Sequence, residues 1–177
     1  MNNYVTQINK SMRFLSKNPK VLFLGQSVLY PGSSIYVSLK NIKSEKRIEL
    51  PVFEETQMGM TLGLALEGYM PVSCFPRFDF FMRCMDALVN HLDKMQNMTE
   101  GTFKPKVIMR TSIGSTTPLN GGVQHTNNYT EPFKQILGEV DVVLLNEPEE
   151  IFPAFENAYN RDGSSLIIEW GDYYNDK

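Results

Sequence analysis

Long hydrophobic runs are missing from this sequence. Its strongest apolar stretches, such as Val21–Leu24 and Leu166–Ile168, are about one strand long, whereas a membrane-spanning helix needs roughly 20 consecutive apolar residues. The opening segment MNNYVTQINKSMRF also lacks the continuous apolar core of a secretory leader, so a cytoplasmic protein without a membrane partner is expected. A basic stripe is missing too: 17 Lys and Arg stand against 20 Asp and Glu, and the densest basic stretch, Lys40–Arg47, is interrupted by Glu45. That balance argues against a nucleic-acid partner. Cysteine is scarce. Cys74 and Cys84 are the only two, each within an apolar pattern, and read as buried free thiols rather than a disulfide. With two histidines, His91 and His125, they show no metal-ligand spacing, so no metal-binding residue is expected in the chain. No G-x-G-x-x-G follows a strand, which argues against a dinucleotide-binding domain.

What is present is an alternation of helical and strand patterns. Tyr4, Ile8, Met12 and Leu15 recur at helical spacing and predict a helix over about Tyr4–Ser16. Val21–Leu24 reads as a buried strand ending at Gly25, and Ser34–Ile42 is ambiguous. Ile48–Leu50 reads as a short strand, and Glu54 to about Glu67 as a helix closed by Gly68. Val72–Phe75, Val107–Arg110, Val140–Leu145 and Leu166–Glu169 are strand-like. Asp79–Met95, Pro132–Leu137 and Glu149–Tyr159 are helical, with Pro153 delaying or kinking the last. Apolar strands alternating with helices predict a single three-layer α/β/α domain with a mostly parallel sheet of five or six strands. Ligands of such sheets sit beyond the carboxyl ends of the strands. The loops after Leu50, Phe75 and Arg110 should therefore bring Glu54, the Phe75–Phe81 cluster and His125 to one edge.

The richest stretch is Pro51-Val52-Phe53-Glu54, where an acid starts a helix with Gly59 and Gly63 five and nine positions later. An acid there suits the helix macrodipole and could be no more than a cap. Two interior glycines cost roughly 1 kcal/mol each relative to alanine, which calls for a packing or functional reason. His125 lies beside Gln124 in a polar loop flanked by glycines rather than on an apolar helix face; His91, within Leu88–Leu92, reads as an ordinary helix-face residue.

Four pieces in order resemble the β subunits of 2-oxoacid dehydrogenases, within the thiamine-diphosphate-dependent transketolase superfamily. They are YVTQINKSMRFLSKNPKVLFLGQSV, the Glu54 helix with its glycines, FPRFDFFMRCMDALVNHLDKM, and VIMRTSIG followed by GGVQHT. The resemblance covers nearly the whole chain and implies a pyrimidine-binding domain over residues 1–177. In that family a glutamate hydrogen-bonds the aminopyrimidine ring of the cofactor. The glycine spacing gives this role to Glu54 rather than Glu55. An aromatic ring stacks on the pyrimidine, pointing first to Phe80 and then to Phe78, and Val52 falls where an aliphatic residue lines the pocket. His125 matches an active-site histidine that meets substrate or later intermediates.

The family holds the cofactor's diphosphate through Mg2+ with a Gly-Asp-Gly segment and a later Asn-Asn pair. Asn127-Asn128 is here, but no Gly-Asp-Gly precedes it. Gln26 and Ser27 also stand where family members often carry acids after the first strand. The chain reaches Lys177 near the end of a pyrimidine-binding domain, and the further C-terminal domain of these families is expected to be absent. The resemblance therefore implies a hetero-oligomer: a 2-oxoacid dehydrogenase β-subunit-like chain whose α-subunit-like partner supplies the diphosphate-binding domain and Mg2+. A split transketolase-like ketol transferase and a non-catalytic interaction module remain alternatives.

Overall fold

A computed structural model describes residues 3–176, with the side chains of residues 175 and 176 excepted. Six strands form one sheet in which every pairing is parallel: β1 (Val21–Gly25), β2 (Arg47–Glu49), β3 (Met70–Phe75), β4 (Ile108–Ile113), β5 (Asp141–Leu144) and β6 (Ser165–Trp170), in the order β2-β1-β3-β4-β6-β5. Successive strand residues point to opposite faces, and here both faces are covered. Val21, Phe23, Val72, Cys74, Ile108 and Ile167 enter one apolar layer, while Phe75, Met109, Ile113, Leu166 and Ile168 enter the other. That double burial explains why the strands read as continuous apolar runs.

The first layer is closed by α1 (Tyr4–Ser16), α2 (Ser34–Leu39) and α7 (Pro148–Asn160), with the short α8 (Tyr173–Asp176) at its end. Asn3 caps α1 by accepting the Thr6 amide at 2.9 Å, satisfying one of the free donors of its first turn. Phe14 meets Phe152 and Tyr159 of α7 edge to face, at 5.4 and 5.2 Å between ring centres. The second layer is closed by α3 (Glu54–Leu66), a helical stretch beginning with α4 (Phe78–Phe81), α5 (Met95–Met98) and α6 (Thr130–Ile136).

One ambiguous segment is resolved and two expectations are corrected. Ser34–Ile42, left ambiguous, contains a helix, because Ile35, Ser38 and Leu39 are buried at helical spacing. Asp79–Met95 is not one regular α-helix. After α4 the chain passes through a 3-10 turn (Met82–Cys84) and then a wider π-helical segment (Asp86–Leu92). The wide turn lets the consecutive residues Leu92 and Asp93 both face inward. Asp93 there accepts the backbone N–H groups of Gly138, Glu139 and Val140 at 2.9–3.1 Å. Satisfying three donors, that of Val140 buried and the other two partly so, offsets the departure from α geometry. Pro153 neither delays nor interrupts α7, which starts at Pro148 and runs through it.

Candidate functional site

The strand order creates a switch point. After β1 the chain moves out to the edge strand β2 and then returns to β3 on the other side, so the carboxyl ends of β1 and β3 diverge there. Glycine permits the tight geometry at this edge. Gly25 ends β1 at φ +141°, and a Cβ on it would stand 2.1 Å from the Cys74 carbonyl oxygen of β3. Gly114 follows β4, and a Cβ there would lie 1.9 Å from the His125 carbonyl oxygen. Only glycine lets the 121–126 loop fold back against the end of β4.

Glu54 opens α3 and is 8 % exposed. Its Oε1 accepts the side-chain amide of Gln26, the residue after β1, at 3.2 Å. Gln57, one turn further on, anchors this start of α3 by donating to Ser73 Oγ and to the Cys74 carbonyl, both at 3.0 Å. Glu55 is exposed. Glu54 also lies close enough to Cys84 that its charge, with that of Glu55, adds to burial in pushing that thiol up to about 12.

A cavity of about 580 Å³ opens beside Gln26, between the loops that follow β1, β3, β4 and β6. Phe80, His125, Arg77, Ser34 and Tyr174 stand in its wall. Phe80 is 40 % exposed and meets the His125 ring edge to face at 5.2 Å. The loop that carries His125 is pinned by Asp79, which accepts the Asn127 backbone amide and the Tyr129 hydroxyl at 3.4 Å, along with the Asn127 side-chain amide. The start of the same connection is held by Asp172, which accepts the amides of Thr116 and Thr117 at 2.7 and 3.1 Å. Burial opposes the Asp172 charge, but these bonds more than offset it and keep the carboxyl below its usual range.

The structure thus joins Phe80 and His125 directly and links Glu54 to their cavity through Gln26. It separates the other two expected residues. Phe78 is fully buried, with its ring against Phe81, Tyr129 and Phe133, and stays out of the cavity wall. Val52 is 73 % exposed, in the loop before α3. Sequence reasoning missed Gln57, Arg77 and Asp79 as parts of the site, and it noted Gln26 only as a departure from a pattern. Among the described residues no three His, Cys, Asp or Glu side chains group to hold a metal ion.

A three-layer α/β domain with a cavity lined by aromatic and polar residues at a topological switch point defines a broad class of binding domains. Within it, residues 9–170 match the family described as "Transketolase, pyrimidine binding domain", and the chain belongs to that family. It is 28% identical over 156 residues to the pyruvate dehydrogenase E1 component subunit beta of Rickettsia conorii, covering 86% of this chain and 47% of that protein. Against the same subunit of Leifsonia xyli the identity is 25% over 170 residues, covering 93% of this chain and 49% of the relative. The chain therefore spans about half the length of these curated relatives. A solved structure described as a split gene transketolase, an inactive β4 tetramer, superimposes with a TM-score of 0.68 at 17% identity, over 94% of this chain and 49% of that one. At that identity the likeness speaks for the fold alone.

Proposed function

We propose that this chain is the pyrimidine-binding component of a thiamine-diphosphate-dependent enzyme acting on a 2-oxoacid, and that a partner chain completes its active site. The observation behind this reading is Glu54, a buried carboxyl at the start of α3 and bonded to Gln26, whose other neighbours across the cavity are the exposed ring of Phe80 and His125. Those residues suit the pyrimidine end of the cofactor. A carboxyl held in a sheltered place can share a proton with a ring nitrogen, and a free aromatic face can stack on the ring. When bound, the cofactor supplies a thiazolium carbon that, once deprotonated, adds to a carbonyl and takes up the electrons of decarboxylation.

Each side chain has a part in this reading. Glu54 holds the proton at the pyrimidine nitrogen, and Gln26 fixes the carboxyl by donating to Oε1. Phe80 sets the plane of the ring, and His125 stands ready on the substrate side. Val52, on the exposed loop before α3, lines the pocket only once a second surface covers it. The diphosphate and its Mg2+ fall to that second surface, an α-subunit-like chain in a hetero-oligomer, because no Gly-Asp-Gly segment precedes Asn127-Asn128 here.

Calorimetry with thiamine diphosphate and Mg2+ tests this, first on the chain alone and then with whatever chain co-purifies. Weak or no binding alone, and tight binding with a partner containing Gly-Asp-Gly and Asn-Asn, is the expected pair of results. Tight binding by the isolated chain would overturn the shared site. A chain that purifies without a partner and never binds the cofactor would favour a non-catalytic role for the fold.

A further inference from the structure

The cavity beside Gln26 is electrostatically one-sided. Among the described residues no Asp or Glu stands in its wall, and the one permanently charged side chain there is Arg77, at the end of the loop after β3. Arg77 is half-buried and forms no ion pair among the described residues. Its Nη1 donates to the neighbouring Pro76 carbonyl at 2.8 Å, which leaves most of its five N–H donors unused. A partly desolvated guanidinium without a counter-charge is costly to keep unless something anionic joins it.

Gly114 lets the stem of Arg77 approach the backbone of His125, and both residues line the cavity. A Cβ at Gly114 would lie 3.2 Å from Arg77 Cδ and 1.9 Å from the His125 carbonyl oxygen, so both occupy the space that a side chain there would need. His125 Nδ1 is buried without a hydrogen-bond partner among the described residues. Ser34 lines the same space. Phe80, three residues beyond Arg77, shares the wall.

We propose that Arg77, seconded by His125, is an anchor for a compact oxyanion, a carboxylate or a phosphoryl group, on the substrate of this site. The inference rests on the proposed cofactor role of Glu54 and Phe80 and adds the substrate's class to it. A guanidinium forks onto either oxyanion with two parallel N–H bonds. The carboxylate that leaves as CO2 is a poor candidate for it. Pairing that group with a fixed cation would stabilise the ground state more than the transition state, in which its charge is being lost. Arg77 therefore selects 2-oxoacids that carry a second, spectator anion, either dicarboxylic or phosphorylated.

Proton NMR of the two imidazoles reads this on the chain alone, with no need for turnover. His125 reports on the cavity, and His91, outside its wall, serves as the internal control. Titration with inorganic phosphate or with succinate, at ionic strength matched with sodium chloride, should move the His125 resonance saturably and leave His91 in place. The stronger of the two responses identifies the class of spectator anion. Arg77→Gln should weaken binding by about tenfold or more, since charge-assisted bonds of this kind are lost, while Arg77→Lys keeps part of the response. No saturable shift with either anion, or an undiminished one in Arg77→Gln with an unchanged circular dichroism spectrum, overturns the proposal. Its fate is separable from that of the cofactor reading. Anion binding together with a silent Glu54→Gln in the assembled enzyme would leave the anion site standing and remove the cofactor role.

Discussion

Arg110 of β4 and Glu169 of β6 form a fully buried, two-pronged ion pair across the sheet, with Nε donating to Oε1 at 2.7 Å and Nη2 to Oε2 at 3.1 Å. The register sets Arg110 opposite Ile167 and Ser112 opposite Glu169, so the pair is diagonal on one face. Ser38 of α2, the Met12 sulfur of α1 and Tyr174 of α8 accept the remaining donors at 3.1, 3.2 and 3.3 Å, and Tyr174 in turn donates to Glu169. Burial opposes the charge on Arg110, but the facing carboxylate more than offsets it and keeps the guanidinium protonated. Removing one partner of such a pair leaves a buried charge exposed to nothing. Arg110→Met or Glu169→Leu alone should each cost about 3–5 kcal/mol, and the double variant should recover much of that in denaturant unfolding. A double variant that loses the sum of the two single costs would show that the residues do not act as a pair.

The same residues show where the sequence was legible. Strands whose two faces are both apolar, and helices with capping and glycine signals such as Glu54 to Gly68, could be read from local pattern, and five of the strands follow it to within a residue or two. β4 reaches three residues further than its apolar run, because Thr111 and Ser112 are buried polar residues that local pattern reads as loop. Ser34–Ile42 resisted because Ile35, Val37 and Leu39 alternate as a strand would, while Ile35, Ser38 and Leu39 repeat as a helix would. What decides between them is Ser38 meeting Arg110, a contact 72 positions away in the sequence. The π turn likewise answers to Gly138–Val140, far along the chain. At the candidate site, the gathering of Glu54, Phe80 and His125 at one edge of the sheet was legible from the strand and loop pattern. Phe78 and Phe80 differ by one alternation, and only the start of α4 determines which ring is buried. Arg77 carried no signal until Gly114 and His125 were seen beside it.

Alkaline conditions should weaken the fold. Burial pushes the Cys74 thiol up to about 11 and the Cys84 thiol to about 12, against about 8.5 for a free thiol. Burial, then the Glu169 charge, also raises the phenols of Tyr4 and Tyr174. Folded values lie above unfolded ones, so the stabilisation is complete below about pH 8.5 and is lost as pH rises, because the unfolded chain releases protons that the folded chain keeps. Each group steepens the decline by up to about 1.4 kcal/mol per pH unit. Urea unfolding from pH 8 to 10.5 should show falling stability, with a shallower slope in a Cys74→Ala, Cys84→Ala variant. Stability that stays level to pH 10.5 would mean these groups ionise in place.

Gly59 and Gly63 lie on an exposed face of α3, and among the described residues a Cβ at either position meets nothing within 4 Å. Met60 and Leu66 of the same helix are 40 % and 56 % exposed. Neither glycine is needed for packing inside the chain, so the face is expected to meet another subunit closely. Gly63→Leu should leave the monomer at least as stable, since helix propensity improves by somewhat under 1 kcal/mol. It should weaken assembly, as measured by sedimentation. Unchanged assembly would show that this face stays free.

The most direct prediction concerns the carboxyl that Gln26 holds. In the assembled enzyme, Glu54→Gln keeps an oxygen able to accept the Gln26 amide, so the fold and most cofactor contacts should persist. What it loses is a group able to carry a proton to and from the pyrimidine ring. General acid–base catalysis contributes about 10²–10⁴-fold, so turnover should fall within that range. Glu55→Gln, exposed and one position further along α3, should be nearly silent. Exchange of the thiazolium carbon's proton for deuterium, read by NMR after acid quench, isolates this step from all later chemistry. Slow exchange in the Glu54 variant with normal exchange in the Glu55 variant is the expected pattern, and the reverse would move the role to Glu55. Normal exchange in both would leave Glu54 as a helix-starting acid whose charge suits the macrodipole and does nothing more.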